Sequence, residues 1–347
     1  MNNDKIKIFK VGGCVRDALL GIEPNDIDYV VVGASPEDML SAGFSRVGSS
    51  FPVFLDKEGR EFALARTERK IGEGYFGFSF STEDVPLIDD LKRRDLTINS
   101  MAMDSSGAII DPFDGVRDLN RKILRHTSAA FIEDPLRVLR VARFHARFGK
   151  EWTIAPETKE LCKKIVRSGE LKSLSKERIF NEFEKTLAYD NFRLFITDLI
   201  EFGCLNILFK DINVAVLPIP ELEPKDALSK FAAICFMNSE KFLQSIISDS
   251  KFTNEFRDIA AFFLKYKSNA DKFILMHDIF KNKKFICDIL RTNSLLVNNE
   301  HLKFLNFLST CNINFESIDP QIRNILKGKQ ISDYIFQLKL NEFKTGL

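Results

Sequence analysis

An α+β fold, with a mixed-sheet head followed by an all-helical remainder, is what this chain of 347 residues predicts. Three observations carry that expectation. Short β-branched runs alternate with glycine turns over roughly the first 125 residues. From about Asp134 apolar residues recur at helical spacing. The length is enough for two or three cores, since globular domains cluster near about 100–150 residues. Taken in order, residues 6–11 read as a strand and residues 15–20 as a short helix, with Asp17 in its opening turns and Gly21 as its C-cap. Residues 28–32, 53–55 and 62–65 read as further strands, and the apolar stretches 100–103 and 109–110 complete the head. Leu136, Leu139, Val141, Phe144 and Phe148, then Ile179, Phe183 and Leu187, mark amphipathic helices; later segments are broken by Pro218, Pro220 and Pro224 and by polar joints at 267–269 and 298–300.

Composition narrows the function classes. Hydrophobic residues at 45% and charged residues at 29% are the balance of an ordinary globular protein, which excludes a disordered or fibrous chain. The first five residues lack the apolar core of a secretory signal, and no apolar run reaches the ~18 residues that span a bilayer, so a cytoplasmic protein with no membrane partner is expected. The cysteines at 14, 162, 204, 235, 287 and 311 form no Cys-x-x-Cys pair and read as buried thiols rather than a zinc module. A net charge of +1 argues, as a bulk figure, against a nucleic-acid partner.

The motifs argue the other way. Gly12-Gly13-Cys14-Val15-Arg16 follows an apolar strand and opens a helix, where backbone N–H groups and the positive helix end can cradle a phosphate; alone it is equally a tight turn. Asp26 and Asp28, two apart where a strand begins, point to one face. An isolated Asp-x-Asp is usually a turn acid beside a strand-end acid. A dozen residues after a Gly-Gly-x-x-Arg turn, the pair suits Mg²⁺, which could bridge nucleotide phosphates and activate a 3′-hydroxyl. Lys92-Arg93-Arg94-Asp95 is a solvated face on the plain reading; beside a triphosphate, Arg94 can clamp phosphate or ribose and Asp95 can accept from a 2′-hydroxyl.

Residues 133–143, Glu-Asp-Pro-Leu-Arg-Val-Leu-Arg-Val-Ala-Arg, are the most informative. At minimum they start a helix, with Asp134 as N-cap and Pro135 at N1. More sharply, Asp134 and Arg137 lie about 60° apart on a helix and can face one ligand edge together. A carboxylate accepts the exocyclic amine of cytosine or adenine while the arginine donates to the neighbouring ring nitrogen; guanine and uracil present the opposite pattern. Arg140 can reach the nucleotide from the next turn. Arg143, rotated about 180° from Asp134, is placed elsewhere by spacing, such as on a backbone phosphate.

These segments, in this order, together with 51–55, 63–77 and 110–113, resemble the bacterial class II tRNA nucleotidyltransferases, the CCA-adding enzymes of the DNA polymerase β superfamily. The resemblance implies a polymerase β-like head at 1–125, a helical neck at 126–190 and a helical body and tail at 191–347. It implies template-independent addition of C, C and A to the tRNA 3′ end from CTP and ATP, with Mg²⁺ as cofactor and no DNA partner. By the same resemblance Gly13 and Arg16 contact the triphosphate, Asp26 and Asp28 bind the catalytic metals, and Arg94 and Asp95 serve phosphate and ribose. Asp134 and Arg137 template the base with support from Arg140 and Arg143. A third metal acid is expected on a neighbouring strand, with Glu61 the candidate, and residues 66–78 match the loop that helps switch from C to A. A bacterial poly(A) polymerase, or an enzyme restricted to CC or A addition, shares most of these motifs; a tRNA-end binder without chemistry is a further alternative.

The chain departs from relatives that carry an HD phosphohydrolase domain. Where a Leu-Cys-His-Asp-type metal motif is expected, residues 232–238 read Ala-Ala-Ile-Cys-Phe-Met-Asn, and His277-Asp278 has no histidine before it back to His145. That activity is expected to be absent. The near-zero net charge also conceals a gradient: residues 1–136 hold 17 basic and 23 acidic side chains, residues 137–178 hold 12 and 5, and the rest hold 21 of each. A tRNA phosphate track along the basic segment, with Lys163, Lys164 and Arg167 on it, is the expectation.

Overall fold

The computed structural model describes residues 6–24, 26–47, 53–70, 78–82, 84–212, 227–248, 252–268, 272–292 and 298–346. The prolines at 218, 220 and 224 and residues 71–77 of the expected switch loop lie outside these. The chain divides into two compact units, Met1–Leu208 and Phe209–Leu347. The helix that follows residue 190 packs along the one that begins at Arg137, within the first unit.

In the first unit the elements are β1 (Lys7–Val11), α1 (Gly13–Leu19), β2 (Tyr29–Val32), α2 (Pro36–Ser41), β3 (Ser45–Val47), β4 (Val53–Leu55), β5 (Glu61–Leu64), β6 (Thr67–Lys70), β7 (Phe78–Ser81), α3 (Leu87–Lys92), β8 (Ala102–Met103), β9 (Ile109–Ile110), α4 (Gly115–Asn120) and β10 (Ile123–Leu124). Then follow α5 (Arg137–Phe148), β11 (Thr153–Ile154), α6 (Pro156–Ser168), α7 (Lys176–Leu187), α8 (Phe192–Phe202) and α9 (Leu205–Leu208). Seven strands form one sheet in the order β3-β4-β5-β2-β1-β8-β9. Only β2 and β5 run parallel; the other neighbours are antiparallel, the mixed sheet expected. Alternation along β2 sends Val30 to one face, with Phe9, Val11 and Leu91, and Val31 to the other, with Met39, Phe54 and Leu64. The short pairs β6–β7 and β10–β11 lie outside the expected strands, because runs of two to four residues are too short for a periodicity to stand out.

Two features of this unit position the site. Val11, the last residue of β1, donates its backbone N–H to the carbonyl of Asp28 at 3.0 Å, so the Gly12-Gly13 turn and the acid at the start of β2 are held side by side. Behind the sheet's edge, α5 buries Val138, Leu139, Val141, Ala142 and Ala146. It packs against α7 and α8, which are themselves joined by ring contacts of Phe183 with Phe192 and Phe195. His145 ties α5 to α8, with Nδ1 2.7 Å from Asp198 Oδ2 and Nε2 3.1 Å from the Trp152 carbonyl.

The second unit is helical throughout its described residues: α10 (Ala227–Met237), α11 (Glu240–Ser248), α12 (Asn254–Ser268), α13 (Lys272–Asn282), α14 (Lys284–Thr292), α15 (Asn299–Thr310), α16 (Pro320–Arg323) and α17 (Lys329–Thr345). Phenylalanines fill it; Phe231, Phe263 and Phe304 are fully buried. The 232–238 stretch lies on and just after α10, with 232–235 buried as core. His277 is buried against the Phe336 ring at 5.3 Å, and its Nδ1 lies 3.9 Å from Asp278 on the exposed side. Among the described residues no group of three or more His, Cys, Asp or Glu is arranged to hold a metal. Among the same residues no helix is long and apolar enough to cross a membrane.

Candidate active site

A cavity of about 490 Å³ opens between the Gly12-Gly13 turn, the segment after α3, and α5 and α7. Eight arginines line it: Arg16, Arg93, Arg94, Arg137, Arg140, Arg143, Arg147 and Arg178. Three acids join them, Asp28, Asp95 and Asp134. Such an excess of guanidinium over carboxylate in one pocket favours a polyanion. Gly13 sits in the first turn of α1, at the positive helix end. Gly12 is obligatory beside it: its φ is +74° and an added Cβ would stand 2.7 Å from Arg94 Nη1.

The arginines are held by a continuous hydrogen-bonded chain. Arg147 donates to Asp17 Oδ2 at 3.0 Å, and Arg16 donates to Asp17 Oδ1 at 2.9 Å and to Asn99 Oδ1. Asn99 Nδ2 donates to Asp95 Oδ1 at 3.0 Å, and Arg140 Nε donates to Asp95 Oδ2 at 2.8 Å. Glu182, on α7, accepts from Arg143 and lies 3.7 Å from Arg140. Burial pushes the Arg16 guanidinium below its usual value, with Asp17 opposing and Arg147 adding to the push; a bound anion relieves that crowding. Burial would raise the Asp95 carboxyl, but Arg140, Asn99 and Arg137 outweigh it and hold it well below the carboxylate range. Three of its roughly four acceptor positions are taken by Leu96 N–H, Asn99 and Arg140, so Asp95 is first an anchor for Arg140 and keeps room for one further donor.

Asp90 plays the same part behind Arg93 and Arg94. It is fully buried and accepts from Arg93 Nη2 at 2.7 Å and Arg94 Nη2 at 3.2 Å. Burial works to raise its carboxyl, and the two arginines overcome this and lower it. A carboxyl with a depressed native value stabilises the fold above its ordinary value of 3.8 and loses that contribution as pH falls through the native one. The melting temperature is therefore expected to fall on acidification below about pH 4. Asp90→Asn should melt lower than the wild type at pH 7 and show a flatter profile across the acid window; parallel profiles would contradict this.

The structure relocates several residues that the sequence placed by helical geometry. The helix starts at Arg137, not at Pro135, and Asp134 precedes it in extended conformation, accepting from Leu136 N–H at 3.1 Å. Rotation angles counted from Asp134 therefore do not apply. Arg143, expected to point elsewhere, lines the same cavity: Arg137, Arg140, Arg143 and Arg147 are spaced 3, 3 and 4 residues apart and share one face of α5. Much of the basic excess of residues 137–178 is thus turned inward. Lys163, Lys164 and Arg167 lie on α6, away from the cavity lining, and Lys163 is 3.4 Å from Glu160 and 3.7 Å from Glu201. Arg137 lines the cavity while donating to the carbonyls of Ala130, at 2.8 Å, and Arg93.

Asp26 and Asp28 are exposed and make no ion pair with another described residue; Asp28 lines the cavity and Asp26 stands two residues ahead, outside the lining. Asp28 offers a hard oxygen donor at the rim of an arginine-rich pocket, and with Asp26 two residues before it the pair has the chemistry to hold a divalent cation. Glu61 begins β5, the parallel neighbour of β2, but is not gathered with the two aspartates into a three-acid cluster. Sequence reasoning passed over Asp17, Asp90, Arg93 in its own right, Asn99, Arg147, Arg178 and Glu182. Arg147 could have been found from the face repeat of α5, and Asp90 with Arg93 from their i,i+3 spacing; Asp17, Asn99, Arg178 and Glu182 depend on long-range pairing.

Comparison with known proteins bears on the head and on the fold. Residues 8–125 match the family "Poly A polymerase head domain" and residues 152–216 match "Probable RNA and SrmB- binding site of polymerase A". A multifunctional CCA protein of Pseudomonas fluorescens is 53% identical over 221 residues, 63% of this chain and 54% of that protein. The chain thus spans about half the length of the curated relatives it matches. Among solved structures, an apo CCA-adding enzyme superposes with a TM-score of 0.68 at 22% identity, covering 97% of this chain and 88% of that one. The Bacillus stearothermophilus CCA-adding enzyme in complex with CTP gives 0.67 at 22%, covering 98% and 89%. At that identity the likeness establishes the fold.

Proposed function

We propose that the chain is a class II tRNA nucleotidyltransferase, which adds C, C and A to the 3′ end of tRNA from CTP and ATP. The observation that carries this is the single cavity in which a helix start, eight arginines and three aspartates converge. Gly13 N–H, Arg16 and Arg94 bind the triphosphate. Asp26 and Asp28 hold a divalent cation, Mg²⁺ by the hardness of their oxygens, which when bound supplies Lewis-acid activation and neutralises phosphate charge. The tRNA 3′-oxygen forms a bond to the α-phosphorus, the α–β phosphoanhydride breaks, and pyrophosphate leaves against the arginines. Asp134 and Arg137 read the incoming base, Arg140 and Arg143 support them, and Asp95 anchors Arg140 and receives the ribose hydroxyl. Lys164 and Arg167, exposed on α6, meet the tRNA backbone together with Lys163; the match of residues 152–216 to an RNA-binding region supports this. The relatives' names, and the CTP bound to a protein of the same fold, support the substrates. With all six cysteines free, we place the protein in the reducing cytoplasm.

The head is shared with poly(A) polymerases, which gives a second reading. Incubating the protein with tRNA lacking its 3′ terminus and with each NTP, singly and combined, separates the two. Our reading expects C from CTP, then one A from ATP, and termination. Long A-tails on arbitrary RNA would favour a poly(A) polymerase, and arrest after CC or addition of A alone would indicate a partial enzyme.

A further inference from the structure

We propose that Arg178, on α7, is a specificity-determining positioning residue that fixes the base-reading edge of Asp134; this rests on the reading of Asp134 and Arg137 as the base template. Asp134 is outside α5, so the helix itself does not orient its side chain. Two contacts do: Leu136 N–H on Oδ1 at 3.1 Å and Arg178 Nη2 on Oδ2 at 2.9 Å. With a donor on each oxygen, the plane of the carboxylate is set at both ends, and what each oxygen retains is acceptor capacity. An exocyclic amine of cytosine or adenine finds an acceptor there. The carbonyl of uracil or guanine at the same position meets a second acceptor and is refused. Without Arg178 the carboxylate keeps one tether, and rotation about its χ2 spoils the edge.

The placement of Arg178 is itself built. Ser175 caps α7 by accepting from Arg178 N–H at 3.3 Å, which puts Arg178 in the first turn. Glu182 follows one turn later and takes Arg143, with Arg140 nearby. One face of α7 thus offers a cation to the acid before α5 and an anion to the arginines on it. Both Asp134 and Arg178 are only partly exposed, at 23% and 26% of their side chains, and both line the cavity, so the pair is a wall of the ligand site rather than a surface ion pair.

The test is equilibrium binding of CTP, UTP, ATP and GTP to the full chain with Mg²⁺ and no tRNA, for the wild type, Arg178→Met and Arg178→Lys, with melting temperature as the fold check. Arg178→Met retains the aliphatic stem. It is expected to narrow the CTP over UTP and ATP over GTP preferences by about tenfold, mainly through tighter binding of the wrong base and weaker binding of the right one. Arg178→Lys, which restores a donor and charge, should recover part of the ratio. A preference unchanged in Arg178→Met, or a uniform loss of affinity for all four nucleotides in both variants, would overturn the proposal. Should the wild type bind nucleotides selectively yet fail to extend tRNA, the proposed function falls while this assignment stands.

Discussion

Asp28→Ala is expected to fold and melt as the wild type does and to add no nucleotide to a tRNA lacking its 3′ end. The two halves of that result have separate causes. What the fold uses at position 28 is the main chain, whose carbonyl accepts from Val11 N–H at 3.0 Å, and alanine keeps that bond. The side chain is exposed and makes no ion pair with another described residue, so its removal should change stability by less than about 0.5 kcal/mol. The reaction, by contrast, loses one of two proposed cation ligands. Lewis-acid stabilisation is worth several kcal/mol, which corresponds to roughly a thousandfold or more in rate. Single-turnover incorporation of CMP, read beside a melting curve, checks both halves. Incorporation within tenfold of the wild type would remove Asp28 from the mechanism.

Glu182→Ala should show the opposite pattern, with the fold suffering first. Glu182 is 4% exposed and accepts from Arg143, itself 7% exposed, while Arg140 lies 3.7 Å away. Truncation leaves buried guanidinium charge without its counter-ion, beside Arg16 and Arg147, which already crowd the same cavity. Removing one partner of a buried pair costs about 3 kcal/mol, or roughly 6–12 °C in melting temperature for a unit of this size. Glu182→Gln retains an acceptor and should lose less than half as much. Denaturant unfolding followed by circular dichroism measures both, and equal, small losses in the two variants would show that the pair contributes little. Activity should fall in Glu182→Ala even where the protein remains folded, because Arg140 and Arg143 lose their common anchor.

The strands at 53–55 and 109–110, and those of β1, β2 and β5, are legible because they are short apolar or β-branched runs set between turn residues. The Gly-Gly turn was legible for a local reason too: only glycine accepts φ of +74° with Arg94 so near. The start of α5 was misjudged by two residues. Asp134 and Pro135 carry the signature of an N-cap and N1, yet the chain spends them on an extended residue and a turn, because Asp134 is drawn to Arg178, 44 residues away. The basic excess of 137–178 is countable in the sequence, but not that Arg137, Arg140, Arg143 and Arg147 turn one face of α5 to the cavity while Lys164 and Arg167 stand exposed on α6. Sequence gives the number of charges, and which side of a helix they occupy depends on what packs against the other side.

By itself, then, the sequence determined the α+β head and the helical remainder and supplied the residues proposed for phosphate, cation and base, since propensity, periodicity and side-chain chemistry are local properties. The tertiary structure decided which of them meet. Arg16 joins Asn99 across 83 residues, Arg140 joins Asp95 across 45 and Arg143 joins Glu182 across 39. These partners neutralise or aim the arginines of the cavity. Their pairing follows from the packing of α5 against α7 and the docking of the Gly-Gly turn on β2, and no spacing along the chain encodes those distances.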